Sequence, residues 1–450
     1  MKIIQLTPGT GNFYCGNCIR DNALVNALRK LGHDTLMGPM YLPMMTDEPT
    51  AADQPVRFSG VNVYLQQKFG FFRKAPQWID RLFSARWMLR FAASRAGMTQ
   101  ARDLGDMTVS MLRGEEGRQA KEIDKLVNWL KSEKPDVVGL SNCLLVGLAR
   151  RIKQEVGAAI VCTLHGEDAF LDSLPQKDSQ RAWDTLAERA RDVDAFIAVS
   201  RYYGDLMKRR MGLSDDQLHV VYNGISLAGY DSPDEVESGL LQDGGREQGA
   251  GTIGYLARMC HGKGLGTLVD AFIELKKRDA VKNTKLRIIG TKTPVDEPFI
   301  DSLRKKLAES GCLDDVDFHP NVSRDEKIRL LKTLTVFSVP ATYGEAFGLF
   351  VIEAMAAGIP VVQPDHAAFP ELIETTGGGT LCQPDDPASL ADGLEQLLVN
   401  RDQARRLGHQ GRRAVFERFD DQHMAQAVLS VYEKVQASGA PQAAAAQPAD

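Results

Sequence analysis

Short apolar runs alternate with longer amphipathic segments along most of the chain. "KIIQLT" opens as a strand, "IRDNALVNALRKLG" follows as a helix, and "DVVGLS", "AIVCTLH" and "DAFIAVS" read as further strands with helical stretches between. That alternation predicts a parallel sheet with crossover helices. The pattern restarts at "TIGYLAR" (252–258) and continues through "LGTLVDAFIELKKR", "KLRIIG", "VDFHP", "VFSVPA", "PVVQP" and "TLCQP". The fold class expected is therefore α/β, with two such halves. The first spans residues 1–222 and is interrupted by an insertion at 64–118; the second spans 252–418. Between them, 223–251 is rich in Gly, Asp and Glu with weak periodicity and reads as a linker. A carboxyl-terminal helix at 419–437 is expected to pack back on the first half, and the low-complexity tail 438–450 to be disordered. Ligands of open parallel sheets bind at the carboxyl ends of the strands, so two facing halves would enclose a cleft.

Composition narrows the partners. At 450 residues, with 43% hydrophobic and 25% charged residues, the chain suits two to three soluble domains. A formal net charge of -5 gives no general pull toward nucleic acid or anionic membrane, so any anion site must be local. The first apolar run is too short for a signal-peptide core, and the longest, Asp136 to Ala149, falls short of the roughly 20 residues needed to cross a bilayer. A cytoplasmic location is the expectation. The seven cysteines are odd in number and lie mostly in apolar runs, as reduced thiols do.

Two stretches stand apart. In "NFYCGNCIR", Cys15 and Cys18 form a Cys-x-x-Cys at a helix start, where the helix N-terminus would stabilise a thiolate, so a redox or metal-binding pair is one reading. The insertion carries "KFGFFRKAPQWIDRLFSARWMLRFAASR", which is both basic and aromatic. Its plain reading is an amphipathic helical segment packed through Trp78, Phe83, Trp87 and Phe91; the alternatives are a membrane-surface contact through 68–95 and a lid that binds an acceptor.

The stretch richest in chemistry is "ATYGEAFGLFVIEAMAAGIPVV" (341–362). Glu345 precedes a helix start near Phe347 to Leu349, and Glu353 lies in that helix's second turn. Gly344 and Gly348 let backbone approach a ligand, and the exposed amides of the helix start would attract a phosphate. The two carboxylates could accept from hydroxyls on either side of it, although an acid near a helix start also simply complements the dipole. In "GYLARMCHGKGLGTLVDAF", Arg258 and Lys263 lie after a strand of the same half, where two cations could neutralise a diphosphate. His165, in "TLHGED", sits at the carboxyl end of a strand in the first half.

Taken together these residues resemble the retaining glycosyltransferases of family 4, in the group 1 type with the GT-B fold: two Rossmann-like domains facing across a cleft. The Glu-x7-Glu signature is matched by Glu345 and Glu353, the Arg-x4-Lys-Gly element by Arg258, Lys263 and Gly264, and the inter-domain "NG" turn by Asn223 and Gly224. "PELIE" (370–374) and "DDPASLADGLEQLL" (385–398) follow the same pattern. The resemblance implies an acceptor domain at 1–222, a donor domain at 252–418, and transfer from a nucleotide-diphosphate sugar to an acceptor hydroxyl with retention. It implies that Arg258 and Lys263 hold the diphosphate with backbone help from Phe347, Gly348 and Leu349. Glu353 would meet the ribose, Glu345 the transferred sugar, and His165 would face the cleft from the amino-terminal side. Gly16 would be the second of two glycines beside the diphosphate, with Cys15 replacing the first, so "YCGNC" becomes a phosphate-facing loop. Arg73, Lys74, Trp78 and Arg81 would shape acceptor choice. No metal or other cofactor is expected. The Asp-x-Asp pairs at Asp192 to Asp194 and Asp315 to Asp317 sit beside apolar strands, where aspartates end helices and turns. The competing functions are a thiol redox or metal-binding protein built on Cys15 and Cys18, and a non-catalytic module that keeps the fold.

Overall fold

The computed structural model describes residues 1–9, 16–44, 46, 48–52, 60–68, 104–237 and 251–439. Strands β1 (Lys2–Thr7), β2 (Asp34–Pro39), β3 (Val137–Leu140), β4 (Ala159–Leu164), β5 (Ala195–Ala198) and β6 (Leu218–Val220) form one sheet in the order β2-β1-β3-β4-β5-β6. Strands β7 (Thr252–Leu256), β8 (Lys285–Gly290), β9 (Val316–Pro320), β10 (Val336–Phe337), β11 (Val361–Pro364) and β12 (Gly379–Cys382) form a second, in the order β12-β11-β10-β7-β8-β9. Every pairing is parallel, with registers such as Leu6 opposite Leu140 and Leu256 opposite Ile289. In the central strands every residue of "VVGL" (β3) and "AFIA" (β5) is buried, because helices cover both faces of a parallel sheet. That double burial makes their sequences continuous apolar runs.

The edges differ. β2 runs into Gly38 and Pro39, and β6 is three partly exposed residues. An edge strand needs neither full burial nor a donor at every position, so neither carries a strong apolar signal. β7 stops at Leu256, two residues short of the expected run, because Ala257 and Arg258 turn into the loop beyond it.

Strand order locates the binding crevice. In the first sheet the connections diverge between β1 and β3, and in the second between β7 and β10. The loops leaving those strands part in opposite directions and open a crevice at their carboxyl ends.

The chain crosses between the halves twice, and the crossings touch. Ile225 and Asp420 form a parallel bridge, Ile225 N donating to Phe419 O and Asp421 N to Ile225 O. A Cβ at Gly224 would stand 1.9 Å from Asp420 O, so only glycine permits this approach. The final helix, Asp421–Gly439, then lies on the helix Gly16–Lys30 of the first half, burying Met424, Ala425, Val428 and Tyr432 in one cluster with Ala23, Leu24, Ala27 and Leu28.

A carboxylate of the second half caps a helix of the first. Glu371 accepts from the backbone amides of Arg201 (2.9 Å) and Tyr202 (3.0 Å) at the start of the helix Arg201–Met211, and from the Tyr222 hydroxyl (2.8 Å). Ser200 takes the next amide, Tyr203 N, while its own hydroxyl donates to Ala346 O across the junction. The first amides of a helix have no partner within it, so both halves are needed to satisfy this end. Arg324 bridges elsewhere, to Glu48 (2.9 Å) and to Ser226 O. Among the described residues no helix is long and apolar enough to cross a membrane.

Glu371→Ala strands three donors at once. It should lower unfolding stability by about 1–3 kcal/mol, read from a urea midpoint, with Glu371→Gln recovering part of the loss. An unchanged midpoint in the alanine variant would show that the cap does not hold the halves together.

Candidate active site

A cleft of about 380 Å³ runs between the two halves, lined by residues that follow strands of both sheets. The first half contributes Gly16 and Asn17 at the start of the helix after β1, His165 and Gly166 after β4, and Val199 after β5. The second contributes Arg258 after β7, Gly290 at the end of β8, Asn321 and Val322 after β9, and Tyr343 with the run from Glu345 to Phe350 after β10. All sit at the carboxyl ends of their strands.

Lys263 and Glu345 meet in it. Lys263 closes a single helical turn, His261–Lys263, and Gly264 follows with a φ of 71°. A Cβ there would stand 1.7 Å from Pro340 O, so the glycine after the lysine is fixed by packing. Lys263 Nζ donates to Glu345 Oε2 at 2.5 Å and lies 4.9 Å from the Tyr343 ring and 5.3 Å from the Phe350 ring. Burial works against this ammonium, but Glu345 and Tyr343 outweigh it and hold the lysine above its ordinary pKa, firmly charged. The Tyr343 hydroxyl donates to the same carboxylate oxygen at 3.4 Å, and burial with the Glu345 charge pushes its phenol upward, so it stays a donor.

Arg258 is aimed by Asp296, whose carboxylate takes its Nε at 3.1 and 3.2 Å and its Nη2 at 3.0 Å while also accepting from Thr293 N and Oγ1. Asp296 is 5% exposed and the arginine side chain 40%, so one edge of the guanidinium is anchored and the group still reaches the cleft. Phe347 is buried, and its ring packs with Tyr222 (6.2 Å) and Phe419 (6.2 Å), one aromatic from each crossing. Its side chain thus serves the junction, while the backbone through Gly348 leads into the helix Leu349–Ala356, whose first residues, Leu349 and Phe350, line the cleft. Glu353, in that helix, accepts from Lys327 Nζ at 2.6 Å.

From the opposite wall, His165 is half-buried, and desolvation reinforced by the nearby Arg20 charge depresses its pKa well below 6.5. Its backbone amide and that of Gly166 donate to Glu167, which anchors the turn. Among the described residues His165 Nε2 has no hydrogen-bond partner. Gly16 faces Leu349 across the cleft, where a Cβ would lie 3.5 Å from its Cδ1.

The structure thus brings together His165, Gly16, Arg258, Lys263, Glu345, Phe347, Gly348, Leu349 and Glu353. Arg73, Lys74, Trp78 and Arg81 lie outside the described residues, as does Cys15. Cys18 is 1% exposed, inside the helix Gly16–Lys30. The Asp-x-Asp residues are engaged at the opposite, amino ends of β5 and β9: Asp192 by Arg150, Asp194 by Lys153, Asp315 by Lys276 and Asp317 by Arg287. Among the described residues no group of three or more His, Cys, Asp or Glu could hold a metal ion. Sequence reasoning missed Asp296, Tyr343 and Lys327. Of these, Lys327 left a signal: in "RDEKIRLLK" it stands four residues before the buried Leu331, on the inward stripe.

Comparison with known proteins agrees with this geometry. The family described as "Glycosyl transferases group 1" matches residues 240–414, and "Glycosyltransferase Family 4" matches residues 89–228. An MMP alpha-(1->4)-mannosyltransferase of Mycolicibacterium hassiacum is 29% identical over 311 residues, covering 66% of this chain and 70% of that protein. Among solved structures, sucrose-phosphate synthase from Thermosynechococcus elongatus superposes with a TM-score of 0.68 at 18% identity, covering 97% of this chain and all of that one. Anabaena HepE in complex with UDP and glucose gives 0.65 at 17% identity, covering 96% and 99%. The chain belongs to the group 1, family 4 glycosyltransferases and has the GT-B fold, two Rossmann-like α/β domains facing across a cleft.

Proposed function

We propose that the chain transfers a sugar from a nucleotide-diphosphate sugar to an acceptor hydroxyl, with retention at the anomeric carbon. The observation that carries this reading is the convergence of Arg258, Lys263, Glu345 and Glu353 on one cleft wall, opposite His165. HepE, which shares the fold, holds UDP and glucose, and that supports a donor of this class.

In this reading Arg258 and Lys263 take the diphosphate, with the amides of Gly348 and Leu349, and Gly16 lets the opposite wall come close. Glu353 accepts from the ribose. When the diphosphate engages the lysine, Glu345 turns its carboxylate to the sugar hydroxyls. The neutral His165 offers an unpartnered ring nitrogen to another sugar hydroxyl. Transfer is front-face: the bond from the anomeric carbon to the β-phosphate oxygen breaks and the acceptor oxygen bonds to that carbon from the same side. The acceptor proton passes to the leaving phosphate. The cations stabilise the charge that builds on the diphosphate, in a site shielded from water, and no metal takes part.

A thermal-shift screen of UDP-, GDP- and ADP-sugars in the presence of EDTA tests the donor class, because a ligand bound only by the native state raises its midpoint. Proton NMR of the first product from the responding α-linked donor should then show an α anomer. No response to any donor, or a β product, would refute the reading.

Two further outcomes follow from the assigned roles. Glu353→Ala should weaken nucleotide binding while Glu345→Ala should chiefly lower kcat, each by about tenfold or more; equal losses of nucleotide affinity would contradict separate roles. The depressed pKa of His165 means that the unfolded state takes up its proton first as pH falls. Its contribution is complete above about pH 6.5 and is lost below it. Between pH 6.5 and 5.5 the wild type should lose more stability than His165→Gln. Identical slopes in urea unfolding would show that the ring is solvated.

A further inference from the structure

The helix Arg324–Lys332 carries two cations one turn apart near the crossing between the domains. Arg324 is committed to Glu48 and Ser226 O, and so ties the domains together. Lys327 has a different surrounding. Its side chain is 13% exposed, against 67% for Arg329 two residues on, so it points inward where a solvated helix face would leave it out. It lines both the main cleft and a small chamber beside it, and its ammonium lies 2.6 Å from Glu353 Oε1, a carboxylate only 17% exposed.

We propose that Lys327 is a positioning residue for the nucleoside, setting the geometry with which Glu353 recognises the ribose diol. This rests on the reading of Glu353 as the ribose acceptor. A glutamate side chain has three rotatable bonds, and holding it in one rotamer costs entropy that must be offset by a fixed partner. Lys327 is that partner. It occupies Oε1 and turns the other oxygen, Oε2, to accept from the vicinal hydroxyls. Taking the cation away leaves a mostly buried carboxylate without its counter-charge and free to turn from the cleft. Binding would then no longer depend on the 2′-hydroxyl. Lys327 touches no reacting atom in this account and acts through Glu353 alone.

The test is calorimetric titration of the full chain with UDP, GDP and ADP, and with the 2′-deoxy form of whichever binds. Wild type should prefer the ribonucleotide by about tenfold or more, the worth of a hydrogen bond to a charged group. Lys327→Met should weaken ribonucleotide binding by a similar factor, leave the deoxynucleotide nearly unchanged, and so bring the ratio near one; Lys327→Arg should restore most of it. Should the methionine variant fail to fold, Lys327→Gln carries the same expectation. A merely structural lysine would move the melting midpoint and leave the ratio where it was, which would overturn the proposal. If wild type binds no nucleoside diphosphate, the reading of the cleft falls and this inference with it. If wild type binds one and the ratio survives in Lys327→Met, only this inference falls.

Discussion

Taking an ammonium and a carboxylate out of water costs several kcal/mol per ion, and Lys263 and Glu345 can stay mostly buried only because each offsets that cost for the other. They come from loops that leave neighbouring strands, β7 and β10, in opposite directions, so their meeting depends on the strand order of the second sheet. The Tyr343 and Phe350 rings flank the ammonium and the Tyr343 hydroxyl adds a donor to the carboxylate. Gly264 and its close approach to Pro340 O fix the turn that carries the lysine. The result is a charged site assembled before any ligand arrives, which is where electrostatic stabilisation of a transition state is most effective.

That site has only half its walls in the second domain. The other half depends on how the two domains are joined, and the joints are specific: a parallel bridge between the two crossings, an aromatic triangle of Tyr222, Phe347 and Phe419, and a helix cap supplied by Glu371 from across the junction. Phe347 belongs both to this triangle and to the loop whose backbone leads into the cleft. Separating the domains would therefore expose the amides of Arg201 and Tyr202 and loosen that loop together. Packing at the junction and geometry at the cleft are one structural problem.

Much of this was legible in the sequence. Central strands are readable because burial on both faces demands uninterrupted apolar runs, and Arg258, Lys263, Glu345 and Glu353 are readable because they lie at fixed short spacings beside strand and helix starts. β2 and β6 escaped because edge strands face weaker demands. Asp296, Tyr343 and Glu371 escaped for another reason: their roles are pairings with residues 38, 80 and 170 positions away (Arg258, Lys263 and Arg201), which no local pattern encodes. The insertion marked for the acceptor, with Arg73, Lys74, Trp78 and Arg81, lies outside the described residues.

The central claim is that the Lys263 ammonium, held ready by Glu345, is the group that receives the donor diphosphate. Calorimetric titration of the wild type and of Lys263→Met with the nucleoside diphosphate that raises the wild-type melting midpoint measures this directly. Loss of a charge-assisted contact in a mostly buried cleft predicts an affinity lower by about tenfold to a hundredfold in the variant, with the fold intact by circular dichroism. Equal affinity in the two proteins would contradict the account.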